Sequence, residues 1–127
     1  MRKYIFLLFI GMLLMSVNAD AKAKNWYEGG NLHQANALAW QTASYNNKLA
    51  TCADFMTIMW TKKMLKQSIL SRINSVNDLR PFAEKLVSSL DEAFKKDPNT
   101  AKNRQIFANQ KVAETVSLLV IMLGWGK

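Results

Sequence analysis

The stretch NDLRPFAEKLVSSLDEAF, residues 77–94, sets Leu79, Phe82, Leu86, Leu90, Ala93 and Phe94 at three- and four-residue intervals. An α-helix gathers such positions onto one face, because it turns once every 3.6 residues. Asn77 is a suitable N-cap, and Pro81 falls in or near the first turn, where its missing amide hydrogen costs least. Lys95 and Lys96 suit the negative end of the helix, and Asp97-Pro98-Asn99 stops it. A helix with one apolar and one charged face lies on a core.

The same period runs through the neighbouring segments. Upstream, Leu49, Cys52, Ala53, Met56, Met59, Trp60 and Met64 share a face that Ile69, Leu70 and Ile73 can continue. This predicts a long helix over 48–72, capped from Asn46-Asn47 and bent near residues 66–68, with Lys62, Lys63 and Lys66 toward water. Before it, the Gly29-Gly30 pair marks a turn. Asn31 and Gln34 then stand in capping-box positions for a first helix carrying Leu32, Ala35, Leu38, Ala39 and Ala43. Downstream, residues 100–108 read either as a polar helix or as a loop with a docked Ile106-Phe107 pair. Val112, Ala113, Val116, Leu119, Val120 and Leu123 define a final helix. Its second half, Leu118 to Leu123, is apolar all round, which makes it the candidate for the central core helix. Gly124 is the expected C-cap, leaving Trp125 to fold back over the helix end. No alternating strand and no repeat appears. The fold class expected is all-α, a compact bundle of about four helices.

An N-terminal signal peptide is expected before this bundle. Arg2 and Lys3 are followed by a mostly apolar run from Tyr4 to Val17 and by the small-x-small pattern Ala19-Asp20-Ala21. Residues 1–21 are therefore expected to be a cleavable signal and residues 22–127 a single helical domain, with cleavage after Ala19 as the alternative. The apolar run falls short of the roughly 20 residues of a bilayer crossing, so no stable transmembrane segment is expected after cleavage. The expected location is periplasmic or secreted. The whole chain carries a formal charge of +8. A basic chain would ordinarily suggest nucleic acid, but export disfavours that partner and leaves anionic envelope surfaces. Lys62, Lys63 and Lys66 form one basic cluster, and Lys95, Lys96, Lys102 and Arg104 another. Cys52 is the only cysteine, so no intramolecular disulfide can form. A buried core thiol is the first reading, with an interchain disulfide and a reactive thiol as alternatives.

The residues offer little to catalysis. His33 is the single histidine, and neither Cys52 nor the acids stand at metal-ligand spacing around it. Glu84 and Glu92 do not form a one-turn pair, Asp91-Glu92 diverge on a helix, and Glu28 and Asp54 could meet only by tertiary folding. No serine is joined to a base and an orienting acid. No catalytic, metal or cofactor site is expected, and the protein is read as a non-enzyme. Among the aromatics, Trp26 and Tyr27 lie outside the periodic segments and either cover an end of the bundle or present an adhesive surface.

Thr51-Cys52-Ala53-Asp54-Phe55, opening a helix after an Asn-rich turn, resembles the start of the acid-stress chaperone family of the bacterial periplasm. That resemblance implies a small exported helical protein that dimerises near neutral pH and holds unfolding clients in acid. The family pairs this cysteine with a second one, which this chain lacks. The wider pattern from Trp26-Tyr27-Glu28-Gly29-Gly30-Asn31-Leu32-His33 through Leu49-Ala50-Thr51 resembles an uncharacterised class of small exported helical proteins of bacteria. It implies an all-helical, periplasmic, non-enzymatic protein. The function expected is therefore protein binding, with an envelope-stress chaperone as its specific form, through a face built from Met56, Met59 and Met64. An inhibitor or immunity-type protein for one envelope partner is the alternative, with Trp26, Tyr27 and Arg104 as candidate anchors. A binder of anionic envelope surfaces is the third. The partner is another protein or a second copy.

Overall fold

Of the stripe that decides the fold, Leu79, Phe82, Leu86, Leu90 and Phe94 are buried, joined by Ala83 and Val87, while Ala93 at the helix end is exposed. The computed structural model describes residues 24–127, and the expected signal segment lies outside the described residues. In chain order these form α1 (Ala37–Thr42), α2 (Tyr45–Thr61), α3 (Gln67–Leu70), a 3-10 turn (Val76–Leu79), α4 (Arg80–Ala93), α5 (Thr100–Phe107) and α6 (Val112–Met122). The described residues thus make an all-helical bundle of six helices, four of them substantial, with no strands. Two isolated β-bridges, Asn36 with Lys111 and Leu65 with Gly126, tie its ends.

α4 packs against α2 on one side and α6 on the other. Its start differs from the expected Asn77 cap. Ser75 is the cap of the preceding turn, and Asp78 Oδ2 accepts from the amides of Asn74 and Ser75 at 2.9 and 3.1 Å. Asn77 is instead drawn into a tertiary bond, accepting from Trp26 Nε1 at 3.0 Å. Pro81 sits in the first turn of α4.

α2 is capped by Ser44, whose hydroxyl accepts from the Asn47 amide at 3.2 Å, earlier in the chain than the asparagine pair. Its buried face is Leu49, Ala50, Thr51, Cys52, Ala53 and Met56. The small residues there let another backbone approach closely. A Cβ added at Gly30 would stand 2.4 Å from the Thr51 nitrogen, so only glycine fits at that crossing. The expected first helix is correspondingly short. Asn31 bonds with Asn47 across to α2, and Leu32 is pinned in the core. Helix begins only after Asn36, whose Oδ1 accepts from the Ala39 amide at 3.0 Å.

The expected long helix over 48–72 breaks early, at 62–64. Lys63 takes a left-handed φ of 55° and Met64 N–H bonds back to the Met59 carbonyl at 2.8 Å. For a non-glycine residue that conformation costs about 1 kcal/mol. The compensation is tertiary. Leu65 becomes fully buried and its segment pairs with the C-terminus, Lys66 N–H to Trp125 O at 2.9 Å and Lys127 N–H to Met64 O at 3.0 Å. Residues 100–108, for which helix and loop were both open, form helix α5, with Asn99 accepting from Lys102 N–H at 3.0 Å. Phe107 docks in the core while Ile106 faces out.

The last helix departs most from expectation. α6 buries Val112, Val116 and Val120 only. The helix with the most buried residues is α2, although Tyr45 and Ile58 on it are exposed, and α6 is an outer layer laid on α4. Gly124 at φ 74° ends it as expected, and Trp125 folds back to meet Phe82 edge-on at 5.2 Å.

Candidate protein-binding face

The residues singled out from sequence do not converge. Met56 is fully buried on α2, Met59 is half-buried, and only Met64 is exposed, at 51%. The methionine face expected on one helix is therefore divided, because the chain turns away at Lys63 before Met64. Trp26 and Tyr27 pack together edge-on at 5.6 Å, with the Arg80 guanidinium 5.5 Å above the Trp26 ring. With the indole bonded to Asn77, this pair fastens residues 24–30 over the beginning of α4. Arg104 is exposed on α5, and no ion pair involves it among the described residues.

Cys52 is buried in the core, and burial, assisted by the charge of Asp91, pushes its thiol up to about 12. A protonated thiol without access is neither nucleophile nor partner for another chain. His33 Nε2 and Asp54 Oδ2 share a hydrogen bond of 2.7 Å, and the imidazole packs beside the Phe55 ring, clasping the N-terminal segment to α2. Asp91 accepts from both Trp40 Nε1 and Lys48 Nζ at 2.9 Å. It serves as a bracket between α1, α2 and α4. Among the described residues no three His, Cys, Asp or Glu side chains gather as metal ligands, and no helix is long and apolar enough to cross a membrane.

The two basic clusters belong to different joints of the bundle. Lys62, Lys63 and Lys66 lie around the α2–α3 connection. Lys95, Lys96, Lys102 and Arg104 lie around the α4–α5 connection. Comparison of the chain with protein-family models, curated proteins and solved structures finds no match. The surface itself is what remains to point to a function.

Among the described residues, α6 is the helix that gathers three large exposed apolar side chains, and the sequence places that stretch in the core. Leu118, Ile121 and Met122 on α6 are 61, 71 and 79% exposed. Their three- and four-residue spacing stacks them on one side of the helix. Beside them, half-buried Leu119 and Leu123 line a groove of about 620 Å³ whose far wall is α4, with Lys85, Ser88, Ser89 and Glu92. The backbone beneath is anchored, since the Trp125 amide bonds to the Val120 carbonyl at 3.0 Å and Gly126 bridges to Leu65. The signal is legible as the apolar run LLVIM over 118–122. It points to the core because an all-round apolar helix is ordinarily buried. Here α6 has a substantial neighbour, α4, on one side only.

Proposed function

We propose that the protein is a non-enzymatic protein-binding protein, exported to the periplasm or beyond, that engages one protein chain through the outer face of α6. The exposure of Leu118, Ile121 and Met122 on a single helix face carries this reading. Scattered single apolar side chains are ordinary on a surface, whereas a contiguous group on an anchored helix suits an interface core. A rigid helix offering aliphatic anchors favours a partner of fixed identity. A promiscuous chaperone surface would be rich in adaptable methionines, whereas Met56 is buried and Met122 is the one methionine among the three exposed residues of this face. An inhibitor or immunity-type role is the form this binding takes when the partner is a different envelope protein.

The test is a photo-cross-linking amino acid placed at Ile121, compared with the same group at exposed Lys102. A discrete adduct with a protein chain at position 121, missing at 102, supports the reading. Absence of any protein adduct at 121 sinks it. Suppression of client aggregation across a pH series separates the chaperone form. Activity against many unrelated clients, retained in Ile121→Asp, would move the function away from α6. Export is tested by cell fractionation and by N-terminal sequencing, which should find a mature chain starting at Lys22 or Asp20.

A further inference from the structure

We infer that the cavity between the end of α3, the 3-10 turn and the C-terminal segment binds a free α-amino acid with an aromatic side chain. Arg72, Asn77, Asp78, Pro81, Phe82 and Trp125 line this cavity of about 470 Å³. A volume of that size suits a small molecule. None of Leu118, Ile121 and Met122 lines it, so the site is separate from the exposed face of α6 and does not depend on it.

The lining brings together an apolar wall, a cation and an anion. Phe82 and Trp125 meet edge-to-face at 5.2 Å, and the half-buried indole offers a flat apolar group something to pack on. The Arg72 guanidinium lies over the Phe82 ring, 5.1 Å from its centroid, and has no ion pair among the described residues. A guanidinium stacked on a ring keeps the N–H groups of its edge for a carboxylate, which it can hold by two parallel bonds. Asp78 Oδ2 accepts from the Asn74 and Ser75 amides, which fixes the carboxylate in place while Oδ1 takes part in neither bond. Asn77 is fixed in the same way through Trp26, and that bond leaves its side-chain N–H groups unused. Arg72 and Asp78 line one cavity without pairing with each other.

This set of groups selects the ligand. An α-amino acid carries a carboxylate, an ammonium and a side chain on one carbon, with both polar groups charged at neutral pH. Arg72 takes the carboxylate, with Asn77 as a second donor. Asp78 takes the ammonium, and Trp125 with Phe82 takes the ring. A simple anion would satisfy Arg72 and face the like charge of Asp78. A neutral sugar could lie on the aromatic wall but would bring no counter-charge to either side chain. A peptide end keeps one of the two charges, and an interior peptide residue keeps neither. The walls are held before any ligand arrives, since the Trp125 amide bonds to the Val120 carbonyl at 3.0 Å and its carbonyl accepts from Lys66 N–H at 2.9 Å. Little ordering is then left for binding to cost.

The experiment is an NMR titration of the purified protein, following the Trp125 indole N–H, which Trp125→Phe identifies. Phenylalanine should shift that signal with a dissociation constant of about 1 mM or tighter. N-acetylphenylalanine, which mimics a peptide C-terminus, and phenylalaninamide, which mimics an N-terminus, should each bind about tenfold more weakly or worse. Glycine, with both charges and no side chain, should lose as much, and maltose should not shift the signal. Arg72→Gln should weaken phenylalanine about tenfold, whereas Lys111→Gln, a charge loss on the exposed start of α6, should not. Asp78→Asn keeps an oxygen for the Asn74 and Ser75 amides. It should weaken phenylalanine yet leave N-acetylphenylalanine binding no weaker, a crossed pattern that loss of structure cannot produce. Circular dichroism checks the fold of each variant, and the ligand series on the unsubstituted chain stands without them. No shift with phenylalanine at about 20 mM overturns the site. Equal binding of N-acetylphenylalanine or of the amide would make the ligand a peptide end, and tighter binding of maltose would make it a saccharide; either result overturns the free amino acid. Cross-linking at position 121 reads the α6 face separately from all of these.

Discussion

Two helix faces expected in the core, that of Leu49–Met56 on α2 and that of Leu118–Met122 on α6, end in opposite surroundings. The first is sealed, with Cys52 and Met56 fully buried, while the second leaves Leu118, Ile121 and Met122 mostly in water. α2 is crossed by the glycine-led N-terminal segment and packed by α4, so its face meets neighbours along its length. α6 meets a substantial helix on one side only. Hydrophobicity is thus a demand for a neighbour, and the fold decides which segment receives one. The unmet demand on α6 is what the proposed protein-binding role rests on.

The comparison breaks first if equal truncations cost equally. Met56→Ala should lose about 2–5 kcal/mol of stability in urea denaturation, from lost burial plus a residual cavity. Met122→Ala should stay within about 0.5 kcal/mol, since little burial is lost. Equal losses would mean that α6 is buried in the isolated chain as well.

Alkaline pH sharpens the contrast at Cys52. Burial raises the folded thiol from its ordinary 9.0 to about 12, so the folded chain keeps a proton that the unfolded chain releases. The associated stability is fully present below about 9 and is lost as pH rises toward about 12. The slope should approach about 1.4 kcal/mol per pH unit in that window. Cys52→Ala should remove that share of the pH dependence, measured by denaturation at several pH values with other titrations common to both proteins. The native thiol should also resist a thiol reagent until the chain unfolds. An interchain disulfide under mild oxidation, lost in Cys52→Ser, would show that the core opens there.

A smaller effect separates the sealed polar contacts from exposed ones. Asn103 is 5% exposed and exchanges two side-chain bonds with Gln41, at 2.8 and 3.0 Å, while also accepting from the Asp97 amide. Asn103→Leu should cost about 1–3 kcal/mol by stranding those groups in the interior. Ser117→Ala on the exposed side of α6, where the hydroxyl meets only the Ala113 carbonyl, should be nearly neutral in the same urea titration. The smallest stability change is expected at Ile121→Asp, within about 0.5 kcal/mol, although it should abolish binding of a protein to the proposed α6 face. Substantial unfolding by that variant would place Ile121 in the core and remove the interface.

Much of the fold is legible along the chain. Most of the α4 stripe, Pro81 in its first turn and the Gly124 cap depend on contacts within a few residues, which sequence spacing encodes directly, whereas α4 ends at Ala93, ahead of the expected stop at Asp97-Pro98-Asn99. The start of α1, the break at Lys63 and the cap of α4 differ from expectation for one shared reason. Asn31, Leu65 and Asn77 each leave the local pattern for a partner more than fifteen residues away: Asn47, Gly126 and Trp26. A long-range contact of this kind overrides a local preference worth about 1 kcal/mol.

The candidate site is legible only as composition. The sequence by itself determined that the chain is helical, that its one cysteine sits on an apolar face, and that residues 118–123 want to leave water. Only the tertiary structure decided that α2 would be covered and α6 would not, and that Lys85 and Glu92 would flank the same groove. Periodicity reports which side of a helix is apolar. Covering that side takes area from other elements, and in so small a chain the last helix is left with a face to share.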